Sequence, residues 1–408
     1  MINKIKAYLN KNQRKIKDGT LQGITWLFSS FEIIILIGIL VFVFIKGLSN
    51  LSFNMLFSDY NSKVINLKYS GDVTTFEERT IEGSYYSSKW GVALIDSTNN
   101  AGESVVKISY IESNSPLKYC IDQTSGDITS IEENYIVTKI VLEDENGNTY
   151  YGFSKKGAES MAKNMDKGSK ITDLQVTTSG GGIRGSLITT LILIGLTLLI
   201  SLPLGIGGAI YLSEYAPNNK FTLVLRSMID MSSGIPSIIF GLVGAAIFIP
   251  FCNGLFGSSG YSIIAGSLTL TIMLLPLIIR TTEEAIHNIP SSLRSASLAL
   301  GASKTQTIFK IVIPNALSGI LTSTLLAIGR IIGESAALIY VMGTMIKDTI
   351  LINQGSSSLA VHIWSVMQGE NPNYSQACAI SIIILIVVLV LNILVKLISK
   401  KLNKFEVK

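Results

Sequence analysis

Apolar runs close to the length of a membrane span recur along this chain, and they constrain its fold more than any other feature. They cover roughly Ile24 to Ile45, Ser186 to Leu212, Ser232 to Phe251, Ile263 to Ile279, Ala316 to Met342 and Ala377 to Ile398. Each approaches the about 20 helical residues that cross hydrocarbon. With 48% of 408 residues hydrophobic and gathered into blocks, an ordinary soluble fold is excluded. The first run is too long for the apolar core of a cleaved signal, carries Glu32, and is followed by no small-residue cleavage site.

Lysine and arginine placement orients the spans. Lys4, Lys6, Lys11, Arg14, Lys15 and Lys17 precede the first run, and Lys396, Lys400, Lys401, Lys404 and Lys408 lie at the end of the last. Both termini are therefore expected on the cytoplasmic side, with an even number of spans. The same rule puts the loops around Lys220 and Arg280 to Lys310 inside and residues 48–184 outside. That outer segment has 13 basic against 18 acidic side chains, net −5, which leaves +10 for the rest of a chain whose total is +5. The basic excess thus reflects orientation in a membrane rather than nucleic-acid binding.

The outer segment reads as a folded α+β domain. Gly91 to Asp96, Val105 to Ile111, Tyr135 to Leu142 and Thr149 to Phe153 alternate as strands do, and Asp144 to Asn148 carries the Asn-Gly signal of a hairpin. Ser154 to Met165 reads as a helix capped by Ser154, and Ser179 to Gly182 as a flexible joint. No acidic or histidine cluster there has catalytic spacing, so a binding or spacer role is expected. Cys120, Cys252 and Cys378 give no disulfide framework, and neither His287 nor His362 has a metal-binding partner at helical spacing.

Glu284 to Pro314 is a polar, Gly-punctuated loop between two apolar spans. Ser291 to Leu300 has helical spacing, Gly301 suits a left-handed turn, and Thr305 to Val312 resumes an amphipathic pattern, which predicts two short helices at an angle. Leu298, Leu300 and Ala302 would form a small apolar knob rimmed by Arg294, Lys304 and Lys310, fit for a groove on another protein; a plain connector on the bilayer surface is the alternative. The look-alike Gly301 to Thr305 (GASKT) lacks the glycines of a phosphate-binding loop, so energy must come from a partner or a gradient.

Within that loop, Ala296, Gly301, Ile311 and Pro314 fall on the pattern of the EAA coupling loop of ABC importer permeases, with Ser295, Ser297 and Ile313 departing from it. PLGIGGAIYLSEYAP (Pro203 to Pro217), GIPSIIFG (Gly234 to Gly241), LPLIIRTTEE (Leu275 to Glu284) and GRIIGESAAL (Gly329 to Leu338) follow in an order that resembles the PstA-type family, the A-type membrane subunits of bacterial phosphate ABC importers. The resemblance covers about residues 181–400. It implies a type I ABC importer permease fold: an all-α polytopic protein of six transmembrane helices, with the α+β extracytoplasmic domain inserted between helices 1 and 2. The expected plan is residues 1–47 for the N-terminus and first helix, 48–184 for the outer domain, 185–400 for a five-helix core with the coupling loop at 281–314, and 401–408 for a cytoplasmic tail.

The resemblance also implies inward movement of inorganic phosphate by alternating access, with a PstC-like permease subunit, a PstB-like ATPase dimer and a PstS-like phosphate-binding lipoprotein. ATP and magnesium belong to the ATPase, and no cofactor, metal site or catalytic residue is expected here. ATPase coupling is expected at Ala296, Leu298, Leu300, Gly301, Ala302, Lys304, Ile311 and Pro314. Arg330 and Glu334 lie four apart in the fifth run, so one helical face is expected to carry both. They form either an ion pair that locks packing or, as the family's R-x-x-G-E segment implies, part of the substrate path, where a guanidinium matches two phosphate oxygens. A C-type subunit, a permease for another oxyanion and a membrane-anchored ligand sensor are the alternatives. Around these, Pro203, Pro236, Gly234 and Gly241 are expected to kink or closely pack helices, Arg280, Glu283 and Glu284 either to fix the coupling loop or to form a solvated face, and the outer loop Ile346 to Gln376, including Val361 to Met367 and Trp364, to carry an interfacial helix.

Overall fold

The computed structural model describes residues 2–73, 75–98, 104–178, 180–258, 260–368 and 372–402, with side chains except at 2–17, 53–54, 98, 399 and 401–402. Ser179 and most of the expected tail, 403–408, lie outside the described residues. The chain divides into two units, Met1–Phe57 with Ile183–Lys408, and Ser58–Gly182.

The first unit is helical. Numbered in chain order, it contains α1 (Ile2–Gly47), α2 (Phe53–Phe57), α4 (Arg184–Ile210), α5 (Lys220–Ser232), α6 (Ser237–Phe256), α7 (Ile263–His287), α8 (Ser291–Ala299), α9 (Lys304–Thr307), α10 (Ile313–Gly333), α11 (Ala336–Met342), α12 (Leu359–Met367) and α13 (Tyr374–Leu402). Among the described residues, six helical stretches are long and apolar enough to cross a membrane: Asp18–Asn50, Arg184–Tyr215, Ser237–Phe256, Ile263–His287, Lys304–Gly333 and Tyr374–Ile398. Each overlaps one of the six apolar runs.

Helix α7 is the hub, packed against α4, α6 and α10. Its Leu270, Met273, Leu274 and Ile278 join Leu193 of α4, Ile328, Ile331 and Ile332 of α10, and Leu338 and Val341 of α11 in one buried cluster. Helices α6 and α11 approach closely because Gly241 has no side chain: a Cβ there would lie 2.6 Å from the Ala337 Cα. Gly234 makes no such approach, and Pro236 starts α6 rather than kinking it, its fixed φ suiting the residue ahead of the first turn.

The third run needs correction at its start. Lys220–Ser232 is a separate amphipathic helix that presents Phe221, Val224, Met228 and Met231 outward, while Arg226 reaches Glu283 of α7 at 2.8 Å. Arg280 bonds Asp230 of α5 at 2.6 Å and Glu284 at 3.3 Å. The Arg226–Glu283 and Arg280–Asp230 pairs therefore strap α5 to α7, while Glu284 meets Arg280 within α7; Arg280 and Glu284, 54% and 64% exposed, fit the solvated-face reading.

The segment before α12 is tied to α4 by hydrogen bonds. Ser186 Oγ lies 3.1 Å from Ser357 Oγ and 2.9 Å from His362 Nδ1, Thr189 donates to Ser356 at 3.0 Å, and Leu359 N donates to Thr190 at 2.9 Å. All of these groups are buried. Burial pushes the His362 imidazole down to about 4, so it acts as a neutral hydrogen-bonding group. Trp364, at 38% exposure, keeps an outward face.

The second unit contains β1 (Val64–Tyr69), β2 (Tyr85–Ser87), β3 (Val92–Thr98), β4 (Ser104–Ile111), β5 (Cys120–Asp122), β6 (Ile128–Thr129), β7 (Ile136–Glu143), β8 (Thr149–Phe153), β9 (Lys170–Thr177) and the α-helix α3 (Ala158–Met165). The strands pair antiparallel in the order β2-β3-β4-β7-β9-β1-β5-β6, with β8 on β7. Alternating residues of these strands bury Leu94, Ile108, Ile140 and Leu174 against Met161 and Met165 of α3. Asp144 closes the β7–β8 hairpin by accepting from the backbone nitrogens of Asn146 and Asn148, at 2.9 and 2.8 Å.

Ser154 does not cap α3: its hydroxyl accepts from Val106 N at 2.9 Å, and Gly157, at φ +85°, separates it from the helix. Nor is the glycine run after β9 a free joint, since Gly181 N and Gly182 N donate to Tyr60 O and Asp59 O. Cys120 is fully buried, and that burial pushes its thiol up to about 12, leaving it inert.

Candidate functional site

Two places in the first unit gather the residues singled out by sequence. The nearer to one end of the helices is an elbow between α7 and α10. Helix α8 stops at Leu300 because Gly301 turns left-handed, φ +85°. Gly301 N donates to Leu298 O at 3.0 Å and Ala302 N to Ser297 O at 3.2 Å, the paired bonds of a Schellman stop. The chain restarts at once. Ser303 accepts from Gln306 N at 3.2 Å while its own N donates to Gln306 Oε1 at 2.9 Å, a complete capping box.

The second short helix is not separate. Helix α9 runs through a π-helical turn, Ile308–Val312, into α10, with Pro314 in its first turn, so elbow and span are one rod. A displacement of the knob would be carried straight into α10. Ser297 Oγ and Thr307 Oγ1, 2.9 Å apart, pin α8 to that rod. Beneath it Ile286, Ile289, Val312, Ala316 and Ile320 form a small buried core.

Exposure separates the expected docking residues. Leu300 is 89% exposed and Leu298 50%, and Ala296, Gly301 and Lys304 are also open, while Ala302, Ile311 and Pro314 are half-buried. Sequence missed Leu293 and Phe309, 41% and 59% exposed, which add to the apolar surface. Lys304 stands over the Tyr215 ring, 5.1 Å from its centroid.

Arg294 is not on the rim. Its Nε and Nη2 donate to Glu214 Oε1 at 3.1 and 3.0 Å, and its other contacts are Ile289 O at 2.8 Å and Ile286 O at 2.9 Å. With side chains 22% and 12% exposed, this pair clasps α8 to the π-helical turn that ends α4, Tyr211–Tyr215, and to the last carbonyls of α7. The same charge that reads as solvated in sequence is a structural clasp because its partner lies 80 residues away.

The second place is the end of α10. The expectation that Arg330 and Glu334 share a helical face is overturned: α10 ends at Gly333, and Glu334 is extended, with φ −80° and ψ 126°. Its Oε1 accepts from Ala337 N at 3.1 Å, so the carboxylate caps α11. Among the described residues no ion pair joins it to Arg330. Arg330 is half-buried, and among the described residues its side chain forms no ion pair or hydrogen bond.

Helical spacing puts Arg330 at the edge of the open strip formed by Leu326, Gly329 and Gly333, where it borders the buried side that begins at Ala327 and continues through Ile331, Ile328 and Ile332. Nothing stands within 4 Å of where a Cβ would be at Gly329 or Gly333. A guanidinium on that face, within a span, costs about 2.5 to 3.5 kcal/mol against hydrocarbon, so the face meets protein or water.

Residues 201–404, which include both places, match the family of binding-protein-dependent transport system inner membrane components. The chain is 39% identical over 216 residues to a probable ABC transporter permease protein, YqgI, of Bacillus subtilis, covering 50% of this chain and 72% of that one. It is 36% identical over 198 residues to the phosphate transport system permease protein PstA of Mycobacterium leprae, covering 48% of this chain and 62% of the relative. A PstA homolog of Mycoplasma pneumoniae is 34% identical over 205 residues, 50% of this chain but 31% of that longer protein.

Proposed function

Because the chain belongs to the family of binding-protein-dependent transport system inner membrane components, and is a multi-pass ABC importer permease subunit, we infer that it is a PstA-like half of an inorganic phosphate importer. It assembles with a PstC-like permease, a PstB-like ATPase dimer and a PstS-like phosphate-binding lipoprotein. ATP and magnesium are used by the ATPase alone. Both termini face the cytoplasm in a bacterial cell membrane, and the unit Ser58–Gly182 faces outside. ATP-driven closure of the ATPase moves the knob at Leu298 to Ala302, and the continuous rod from α9 to α10 carries that motion into the membrane, switching the path between outward and inward opening.

The observation that carries the cargo reading is Arg330, a half-buried cation at the edge of the open face of a span, with no ion pair to it among the described residues. Such a guanidinium offers a planar fork to a tetrahedral oxyanion. Glu334 has a different duty, holding α11 in place.

Uptake of labelled phosphate by the assembled complex tests this. Arg330→Lys keeps the charge and loses the fork, and should reduce uptake about tenfold or more at normal complex abundance. Glu334→Gln, whose amide oxygen still accepts from Ala337 N, should transport nearly as wild type. Wild-type uptake by Arg330→Lys would sink the assignment, and inhibition by excess sulfate equal to that by phosphate would move the cargo to another oxyanion.

A further inference from the structure

Tyr261 just before α7, Ile339 and Met342 of α11, and the loop that leaves α11 enclose a cavity of about 540 Å³. It lies at the Ile263 end of α7, whereas the elbow follows His287 at the other end. With the elbow on the cytoplasmic side, the cavity therefore belongs to the outer mouth of the helical unit.

Its polar lining is made of donors. Among the described residues Lys347 lines it and no carboxylate does. Lys347 Nζ donates to Gln354 Oε1 at 3.0 Å, and both residues are half-buried. An ammonium has three N–H donors and a primary amide two, so this contact uses one of the five and turns the amide nitrogen away from the lysine. Tyr261 and Thr344 add hydroxyl groups to the same lining. Two carbonyls of the last turn of α11 are already engaged, Ile339 O by Gly343 N and Val341 O by Ser262 N, both at 3.2 Å.

Lys347 and Gln354 are held from behind. A Cβ at Gly185 of α4 would strike the Lys347 carbonyl oxygen, so the start of α4 backs that residue directly. Ile263 N donates to Gln354 O at 3.1 Å and Ile264 N to Ile352 O at 3.2 Å, which ties the loop to the first turn of α7. Gly355 sits against Met342 O, where a Cβ would not fit. The donors thus stand on a fixed wall before any ligand arrives.

We propose that the Lys347–Gln354 cavity is a receiving site for a free tetrahedral oxyanion, occupied at the outer mouth before the ion enters the membrane. A cation among neutral donors selects an anion, and the volume, set against about 30 Å³ for one water, admits an oxyanion with part of its hydration shell. Helix α11 has seven residues, about 10 Å, so the cavity lies one short helix beyond the stretch that carries Arg330. The inference rests on the importer reading and its orientation, and not on the role of Arg330.

The test acetylates the assembled complex in nanodiscs with an amine-reactive ester and follows Lys347 by peptide mass spectrometry. Inorganic phosphate in excess of its dissociation constant should slow acetylation of Lys347 about threefold or more, chloride should not, and the exposed Lys170 should be unaffected by either. Gln354→Glu keeps the acceptor for Lys347 Nζ but sets a carboxylate in the cavity, so protection should vanish and uptake of labelled phosphate fall about tenfold or more. A merely structural contact would survive that change. Lys347→Cys should lose uptake and regain it on treatment with an aminoethyl thiol reagent, but not with a hydroxyethyl one of similar size. No protection by phosphate, normal uptake by Gln354→Glu, or equal rescue by the neutral reagent would overturn the proposal. So would protection without added phosphate that disappears in phosphate-free glycolipid, which assigns the lysine to a headgroup, or protection by the binding protein stripped of its ligand, which assigns it to a protein carboxylate. Equal protection by sulfate and phosphate upholds the site while moving the cargo to another oxyanion, so the two failures are distinguishable.

Discussion

Gly301 gives the cleanest test of the elbow as a coupling element. Its φ of +85° is left-handed, and nothing lies within 4 Å of where a Cβ would sit, so a side chain meets no clash and the cost of substitution is conformational alone. For an ordinary L-residue that cost is about 1 to 2 kcal/mol, with a β-branched residue at the upper end and Asn below it. Nothing else in the elbow is touched: the Arg294–Glu214 clasp, the Ser297–Thr307 contact and the capping box at Ser303 remain. Gly301→Val should therefore insert and fold, but lower the population of the docking-competent elbow by roughly 5- to 30-fold, and weaken apparent ATPase affinity by up to that factor. Gly301→Asn should fall between Val and wild type. Titrating purified ATPase subunit onto permease complexes in nanodiscs reads this directly. If Val binds and transports as wild type, or if Asn is as impaired as Val, the backbone conformation at Gly301 does not govern docking.

Removing the clasp should act on stability as well as coupling. Glu214→Gln or Arg294→Lys should cost about 1.5 to 3 kcal/mol through lost charged hydrogen bonds, seen as a lower thermal midpoint of the detergent-solubilised protein, and Arg294→Lys should not recover the bonds to both Ile286 O and Ile289 O. His362 predicts a pH dependence. Burial lowers its native value to about 4 from 6.5, so the unfolded chain takes up a proton first as pH falls. The native state should keep its full stability above about pH 6.5 and lose it progressively toward pH 4, and His362→Gln should flatten that slope in thermal scans.

What the sequence revealed follows from how local each signal is. The six spans and the β7–β8 hairpin are legible because length, apolar content and an Asn-Gly turn act within a few residues. Ser154 and Arg294 misled for the opposite reason: their partners, Val106 and Glu214, are 48 and 80 residues distant, and no pattern near either residue encodes them. Helix α5 went unread because its polar face looks like loop composition, although Phe221, Val224, Met228 and Met231 carry a helical period. The break in the fifth run was hidden by hydrophobicity that continues through Ala336 to Met342, yet Gly329, Gly333 and a Glu three residues before Ala337 are the marks of one helix ending and another being capped.

That break changes which experiment can separate the two roles of the charged residues. In a continuous helix, exchanging Arg330 and Glu334 would preserve an ion pair and test only position. Here the exchange removes an acceptor from Ala337 N, because a guanidinium has none to offer, so α11 loses its cap whatever Arg330 does. Helix α11 packs on α6 across Gly241, where Ala337 itself makes the close approach, so the doubly exchanged protein should be destabilised at that contact. A failed exchange is thus expected under either role. Only variants that keep the acceptor at 334 while altering 330 isolate the cation, and the comparison of Arg330→Lys with Glu334→Gln meets that condition.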